Sequence, residues 1–324
     1  MKTLFITPLA AVLLAAGMPS ALALPNASVQ SYAYGSANID PPTPYTASES
    51  LQSTDGTPLV SESGIAASNA IWSLSAQASA RIEPGVIRLA TSGIASAMDV
   101  GPPSYVAASA HANASARWVD TFTIDGGALN GQVGHLVAGF RVDGSLSSAF
   151  DASVGYSARM DEQYRAWLRL TNAGTGQDVF ASGGQRHLAD FQGARWLPTD
   201  LPERSPGLWL VALDFVFGTP IMLDMWADIY SNVTAYACDS VVHCVASSSI
   251  AATVDFGHTV NWDGFVGLTD GQGNQVTNFT LSSVSGLDYR NAAAPVPEPH
   301  GYALLLAGLG LLGAIARRRG ARAT

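Results

Sequence analysis

Two aspartates four residues apart, Asp224 and Asp228, flank Trp226 and are followed by Tyr230. Paired carboxylates are the working groups of glycoside hydrolysis, and rings set among acidic groups have the composition of a sugar-stacking platform. On an extended strand, four residues at about 3.3 Å each hold the two carboxylates roughly 13 Å apart, beyond either hydrolytic geometry. Only a cross-strand partner could complete a dyad. The cluster therefore reads as one face of a strand: a possible glycan platform if it meets solvent, ordinary core if a second layer covers it.

Other local chemistry finds no support in the sequence. There is no G-x-S-x-G pentapeptide for a nucleophile elbow, and none of the six histidines is followed by Glu as a zincin requires. No Gly-rich loop follows a strand and opens a helix, so nucleotide binding has no basis. Cys238 and Cys244, an even pair with five residues between them, read as a disulfide closing a small loop; a metal site from Cys238, His243 and Cys244 lacks a fourth ligand nearby. Asp125-Gly126-Gly127 and Asp270-Gly271-Gln272-Gly273-Asn274 offer oxygens to Ca²⁺, but without EF-hand ligand spacing they suit hairpin turns better. No catalytic residue, metal or other cofactor is expected.

The elements that would position these groups are strands. Ile221, Leu223, Met225, Ala227 and Ile229 alternate with Met222, Asp224, Trp226, Asp228 and Tyr230, a split that continues to Ala237 and that no helix could keep. Phe122 and Ile124, Leu136 to Val142, and Ile250 to Val260 alternate likewise and are bounded by turn residues. Tyr164 to Leu170 fits either a strand or a helix beginning at Asp161-Glu162; the turn chemistry of Asn172 to Gly176 favours strand. Leu208 to Phe217 is apolar on both faces and predicts a central strand, whereas Gly183 to Pro206 reads as a loop. Ser73–Ala80 and Val106–Arg117 are strand candidates in an Ala/Ser-rich half that votes weakly. Nine or ten strands without a convincing helix predict an all-β, antiparallel, jelly-roll-like β-sandwich over residues 62–291, preceded by an irregular Ser/Pro-rich lead-in over 24–61.

Both ends are targeting segments. Lys2, the apolar run Leu4–Ala16 and Ala21-Leu22-Ala23 form a signal peptide over residues 1–23, with cleavage set by Ala21 and Ala23. With Lys2, the four C-terminal arginines and Glu298 set aside, 11 Arg face 24 Asp and Glu, a net −13 without lysine. That balance disfavours nucleic acid and anionic lipid and favours neutral polymers, divalent cations or protein. At the other end stand Val296-Pro297-Glu298-Pro299, an apolar run over 302–316 and an Arg cluster over 317–322. Fifteen helical residues rise about 22 Å, less than the roughly 30 Å hydrocarbon core, so the run predicts a short transmembrane hold seated by its arginines. The two prolines keep the preceding segment extended for an enzyme.

This order of Val296-Pro297-Glu298-Pro299, Tyr302-Ala303-Leu304-Leu305-Leu306-Ala307-Gly308-Leu309-Gly310-Leu311-Leu312-Gly313 and Arg317-Arg318-Arg319 closely resembles the PEP-CTERM sorting signal of exported bacterial proteins. The block Ala252–Asn291 also resembles the tail of β-sandwich domains that precede such signals, through Val254 to Thr259, the turn at 270–274, Val276 to Phe279 and Ser285-Gly286-Leu287-Asp288-Tyr289. The resemblance implies passage through the secretion translocon and a transient inner-membrane stage, with membrane contact only through the C-terminal helix. It further implies cutting near the motif by an exosortase-type enzyme and association with exopolysaccharide or biofilm at the cell surface or in the matrix. The expected function is thus a non-enzymatic exported matrix protein. The alternatives are a secreted carbohydrate-binding module on the Trp226 face and a glycan-active hydrolase with a dispersed site.

Overall fold

The computed structural model describes residues 25–37, 43–55, 57–98, 105–150, 158–190, 193–197, 199–238 and 247–293. Its strands begin with β1 (Asn26–Ala37), β2 (Thr43–Ser53), β3 (Leu59–Ser68), β4 (Trp72–Glu83) and β5 (Val86–Met98). There follow β6 (Tyr105–Asp125), β7 (Val133–Val142), β8 (Ser145–Phe150), β9 (Ala158–Asn172) and β10 (Asp178–Asp190). The last are β11 (Gly193–Leu197), β12 (Gly207–Val216), β13 (Pro220–Cys238), β14 (Ser247–Asp270) and β15 (Thr280–Ser283).

Two antiparallel sheets result. The first has the order β11-β10-β9-β13-β6-β1-β2, with β15 beside one end of β6; the second runs β12-β7-β14-β5-β4-β3, with β8 beside β14. Strands β3, β4, β5 and β14 pack across onto β1, β6 and β13, which makes the expected all-β, sandwich-like body. The chain changes sheets from β5 to β6 to β7 and at each step from β11 to β15. The meanders β3-β4-β5 and β9-β10-β11 stay within one sheet.

Period-2 alternation decides what the sheets enclose. On β6, Ala108, Ala110, Ala112, Ala114 and Ala116 are buried, and Trp118, Phe122 and Ile124 continue the same face. They meet Ala76, Ala78, Ala80, Ala95 and Ala97 of β4 and β5 within one apolar cluster. Such small side chains let the backbones approach: a methyl added at Gly93 would stand 3.1 Å from Val233 Cγ2 and 3.4 Å from the Ala110 carbonyl. Farther along β6 the filling turns aromatic, with Phe122, Trp262 and Tyr289 packed at centroid distances of 5.0 to 6.2 Å.

A buried carboxylate ties the C-terminal segment to this aromatic end. Asp120 is fully buried and accepts hydrogen bonds from Thr121 N at 2.7 Å, Ser285 Oγ at 2.5 Å and Tyr289 OH at 2.6 Å. Trp118 Nε1 donates to Tyr289 OH at 3.2 Å, and Trp262 Nε1 to the Tyr289 carbonyl at 2.7 Å. Burial raises the Tyr289 phenol, with the Asp120 charge adding to it, so Tyr289 stays a donor. Gly264 takes φ +89°, and a Cβ there would lie 2.9 Å from the Arg290 carbonyl; only glycine lets residues 290–292 pass. Ala293 N then bonds to the Trp262 carbonyl at 2.9 Å.

Several sequence expectations are corrected. The lead-in over 24–61 is not irregular: it holds β1, β2 and the start of β3, with Ala27, Val29, Ser31, Ala33 and Ala37 buried in alternation. Its inward residues are too small to give a hydrophobic period, and Ser31 is instead satisfied by Ser61 and Ser63, both at 2.8 Å. The supposed loop 183–206 carries most of β10 and all of β11, whose glycines concealed the pattern. Leu208–Phe217, expected to be central, forms β12 at a sheet edge, with Leu208 and Leu210 exposed by 45% and 51%. The signal peptide with Ala21 and Ala23, Cys244 of the expected disulfide, and the sorting segment with its helix lie outside the described residues. Among the described residues no helix is long and apolar enough to cross a membrane.

The Asp120 network predicts a graded response to mutation. Tyr289→Phe keeps the ring but leaves the buried carboxylate short of a donor, and should cost about 1–3 kcal/mol in urea unfolding. Asp288→Ala, which removes an exposed ion pair to Arg290 and an acceptor for Arg290 N and Asn291 Nδ2 one residue away from Tyr289, should cost about 1 kcal/mol or less.

Candidate functional site

Strand β13 separates its two faces as its sequence requires. Ile221, Leu223, Met225, Ala227 and Ile229 enter the core, and Trp226 and Tyr230 lie half-buried on the outer face of the larger sheet. The Trp226 face is therefore not a second core. Register adds neighbours that no single strand reveals. Trp226 lies between Arg117 of β6 and Trp167 of β9, Asp228 between Ser115 and Arg165, and Tyr230 between Asn113 and Gln163.

The two indoles pack nearly parallel, 6.2 Å between centroids at 26°. A guanidinium lies over each ring: Arg117 Cζ is 5.9 Å from the Trp167 centroid and Arg165 Cζ 5.5 Å from that of Trp226. The same cations hold the carboxylates. Arg117 Nε and Nη2 donate to Asp224 at 2.9 and 2.6 Å, and Arg165 Nε and Nη2 to Asp228 at 3.2 and 2.8 Å. Asn113 Nδ2 also donates to Asp228, at 3.0 Å. Asp224 and Asp228 are buried beneath these groups. Arg117 grips both oxygens of Asp224, whereas both Arg165 nitrogens meet Oδ1 of Asp228 and Asn113 takes its Oδ2, so each carboxylate is held in place by the face around it.

The lattice continues outward. Arg186 donates to Asp161 through Nε at 2.9 Å and Nη2 at 2.5 Å, Tyr230 OH reaches the same carboxylate at 3.0 Å, and Arg169 pairs with Asp178. Hydrogen bonding to Asp161 drives the Arg186 guanidinium further up, and hydrogen bonding to Arg169 holds Asp178 down. On the other flank Tyr32 of β1, His111 of β6 and Tyr230 form a row with 6.1 Å between successive centroids. Burial lowers His111, so it is neutral near pH 7. Flat rings, amides and hydroxyls thus share one face on which the arginines named are matched by carboxylates.

Sequence reading found Asp224, Trp226, Asp228 and Tyr230 and missed Trp167, Arg117, Arg165, Tyr32 and His111. A signal for Trp167 existed: in Tyr164–Leu170 the alternation that buries Tyr164, Ala166, Leu168 and Leu170 sends Arg165, Trp167 and Arg169 to the opposite face. Arg117 and Tyr32 needed the register of β6 and β1. The two turns proposed for Ca²⁺ use their carboxylates internally. Asp270 accepts from the amides of Gln272 and Asn274 at 2.9 Å, and Asp125 from Gly127 N at 2.8 Å and Asn130 Nδ2 at 2.7 Å. Among the described residues no group of three or more His, Cys, Asp or Glu is arranged to hold a metal.

A second polar row lies on the inner face of the same strands. Ser231, Glu162 and His187 are cross-strand neighbours on β13, β9 and β10. Glu162 is fully buried; its Oε1 accepts from Thr253 N at 3.1 Å, its Oε2 has no hydrogen-bond partner, and His187 Nδ1 stands 3.7 Å away. Ser231 Oγ is likewise unpartnered. The carboxyl stands between hydroxyl and imidazole, whereas nucleophile activation needs the imidazole in the middle. Burial pushes Glu162 up to about 8 and His187 down, so both are neutral in the folded protein near pH 7.

Residues 295–319 match the family described as the PEP-CTERM protein-sorting motif. The chain therefore carries the signal of an exported protein handled by an exosortase-type enzyme. No curated protein and no solved structure matches it.

The inner carboxyl gives a pH prediction. Ionising Glu162 is penalised in the folded state, so the penalty is absent below its ordinary 4.5, grows as pH rises, and levels off above about 8. Glu162→Gln should remove a loss of stability of roughly 1.4 kcal/mol per pH unit within that window. Urea melts of both proteins across the range check this: the variant should gain on the wild type steadily as pH rises.

Proposed function

We propose that this is an exported, non-enzymatic matrix protein that binds uncharged extracellular polysaccharide through the outer face of β9, β13 and β6. In this reading the N-terminal signal takes the chain through the translocon and the C-terminal segment holds it briefly in the inner membrane. An exosortase-type enzyme then cuts near Pro297-Glu298-Pro299, and the sandwich passes to the cell surface or matrix. The observation that carries the reading is the sorting motif at residues 295–319, which begins two residues after Ala293, the last described residue, pinned to the folded body.

The choice of a neutral glycan rests on the outer face. Stacking on pyranose rings requires aromatic surfaces held in fixed orientation, and Trp167 and Trp226 are held by each other and by Arg117 and Arg165. The guanidiniums are already engaged with Asp224 and Asp228, so an anionic polymer would have to break those pairs to use them. A neutral one has only to stack on the rings and hydrogen-bond around them.

Two measurements test the two halves of this reading. Mass spectrometry of the extracellular protein should find no peptide beyond the motif, and recovery of intact 302–316 there would reject processing. In affinity electrophoresis on neutral polysaccharides, each indole should contribute about 1 kcal/mol, so the Trp167→Ala/Trp226→Ala double variant should bind at least about tenfold more weakly. Equal retardation of the folded double variant and the wild type would reject the platform.

A further inference from the structure

Strand β12 ends the smaller sheet, and its outer edge is unevenly protected. Its odd residues Trp209, Val211, Leu213 and Phe215 turn their side chains into the core. The backbone groups of its even residues face away from β7, as their partners show: Asp214 N is bonded by Gln177 Oε1, Val216 N by Asn172 Oδ1 at 3.3 Å, and the Asp214 carbonyl by Thr175 Oγ1 at 3.0 Å. The β9–β10 turn thus caps the C-terminal half of the edge. On the same side Leu208, Leu210 and Ala212 present N–H and C=O groups that no described residue bonds. A groove of about 520 Å³ runs beside them, bounded by Arg204, Pro206, Leu208 and Leu210.

The side chains there are as unusual as the backbone. Leu208, Leu210 and Val266 are exposed by 45%, 51% and 57%. Leu208 and Val266 close over Gly139, where a methyl would meet them at 3.2 and 3.6 Å. Edge strands normally carry charge, proline or a bulge that blocks pairing. From Ser205 to Leu213 this one has no charged residue, and its proline, Pro206, precedes the strand.

We infer that the β12 edge from Leu208 to Ala212 pairs antiparallel with the same edge of a second copy of this chain. Open donors and acceptors at strand spacing are matched by another extended strand, which fixes the class of occupant. Self-pairing about a two-fold at Leu210 satisfies both backbone groups of Leu208, Leu210 and Ala212 in each copy. It sets Leu210 against Leu210 and Leu208 against Ala212, so apolar side chains meet apolar ones on the outer face. Asp214 then falls opposite Pro206 of the second copy, so the acidic ends avoid each other. In a body of net charge −13, an uncharged contact with this offset is the kind that two copies can form without repulsion.

The test uses the full chain in a mild non-ionic detergent, by sedimentation equilibrium and by hydrogen exchange at low and high protein concentration. The wild type should dimerise at micromolar concentration, with the Leu208, Leu210 and Ala212 amides gaining protection as concentration rises. Leu210→Pro removes an outward N–H without touching the bonds to β7, and Leu210→Lys keeps the N–H but brings two charges together. Both should weaken association at least about tenfold with an unchanged circular dichroism spectrum. If Leu210→Pro fails to fold, Leu210→Lys and the exchange data still decide. A wild type that stays monomeric, a dimer that both folded variants keep at full strength, or edge amides equally exposed at all concentrations would each overturn the proposal.

Discussion

The antiparallel ladder between β6 and β13 is the constraint on which the rest depends. Pairing runs the full 19 residues of β13, from Pro220 opposite Thr123 to Cys238 opposite Tyr105. Side chains alternate faces, so one register assigns both surfaces at once. Shifting it by one residue would turn Asp224, Trp226 and Asp228 into the core and Leu223, Met225 and Ala227 out to water. The alanines of β6 and the outer Arg–Asp lattice are two consequences of one alignment. The inner face varies along its length, from the alanines at 108–116 to Trp118 and Phe122. The sheets must therefore stand closest over the alanines and part toward the aromatic end. That filling leaves room at the aromatic end for Tyr289.

The outer face shows how an acidic chain spends few cations. Eleven arginines serve the whole body, and Arg117, Arg165, Arg169 and Arg186 all stand on or beside β9 and β6 in pairs with aspartates. The exposed Arg169–Asp178 pair contributes at most about 1 kcal/mol, and where the carboxylate is buried the attraction is largely spent on its desolvation, so stability is not the main return. What the pairs supply is position. A guanidinium gripped by a carboxylate is a fixed cation, and a fixed cation over an indole fixes the indole. Surface aromatics otherwise sample several rotamers and lose entropy on binding a ligand; here that ordering is complete beforehand.

What was legible in the sequence follows from side-chain size. Strand β13 was plain because large apolar residues alternate with charged and aromatic ones. Strand β1 has the same alternation written in Ala, Ser and Gly on its inner face, and an alanine is too weakly hydrophobic to mark a face. Its burial depends on β4 and β6, which are distant in sequence. Leu208 and Leu210 failed in the opposite sense. Apolar on both faces, β12 looked like an interior strand, and only the sheet order shows it to be an edge with leucines in water. At the site, one strand's contribution was readable and the others were not, because Trp167, Arg117 and Tyr32 join Trp226 through register alone. Glu162 left no trace either, since a carboxyl between two sheets has no sequence signature beyond its parity with Tyr164 and Leu168.

The Asp120 network places the end of the body at the end of its folding. Ser285 and Tyr289 reach Asp120 across 165 and 169 residues, and contacts so distant in sequence form late because the chain between them must first be ordered. Until they form, a carboxylate sits at the aromatic end of the core without two of its donors, and burying it unpaired costs more than the finished bonds return. The sandwich is therefore less stable until residues 285–293 have joined it. If the N-terminal signal proposed above leads the chain out, these are the last body residues to cross, and the sorting motif follows them directly. A brief hold by the C-terminal segment, as proposed above, would fall at the step when the plug must find Asp120. Cutting after that step would release a body already sealed at its aromatic end, whereas cutting before it would release one with Asp120 and Trp118 still open to water.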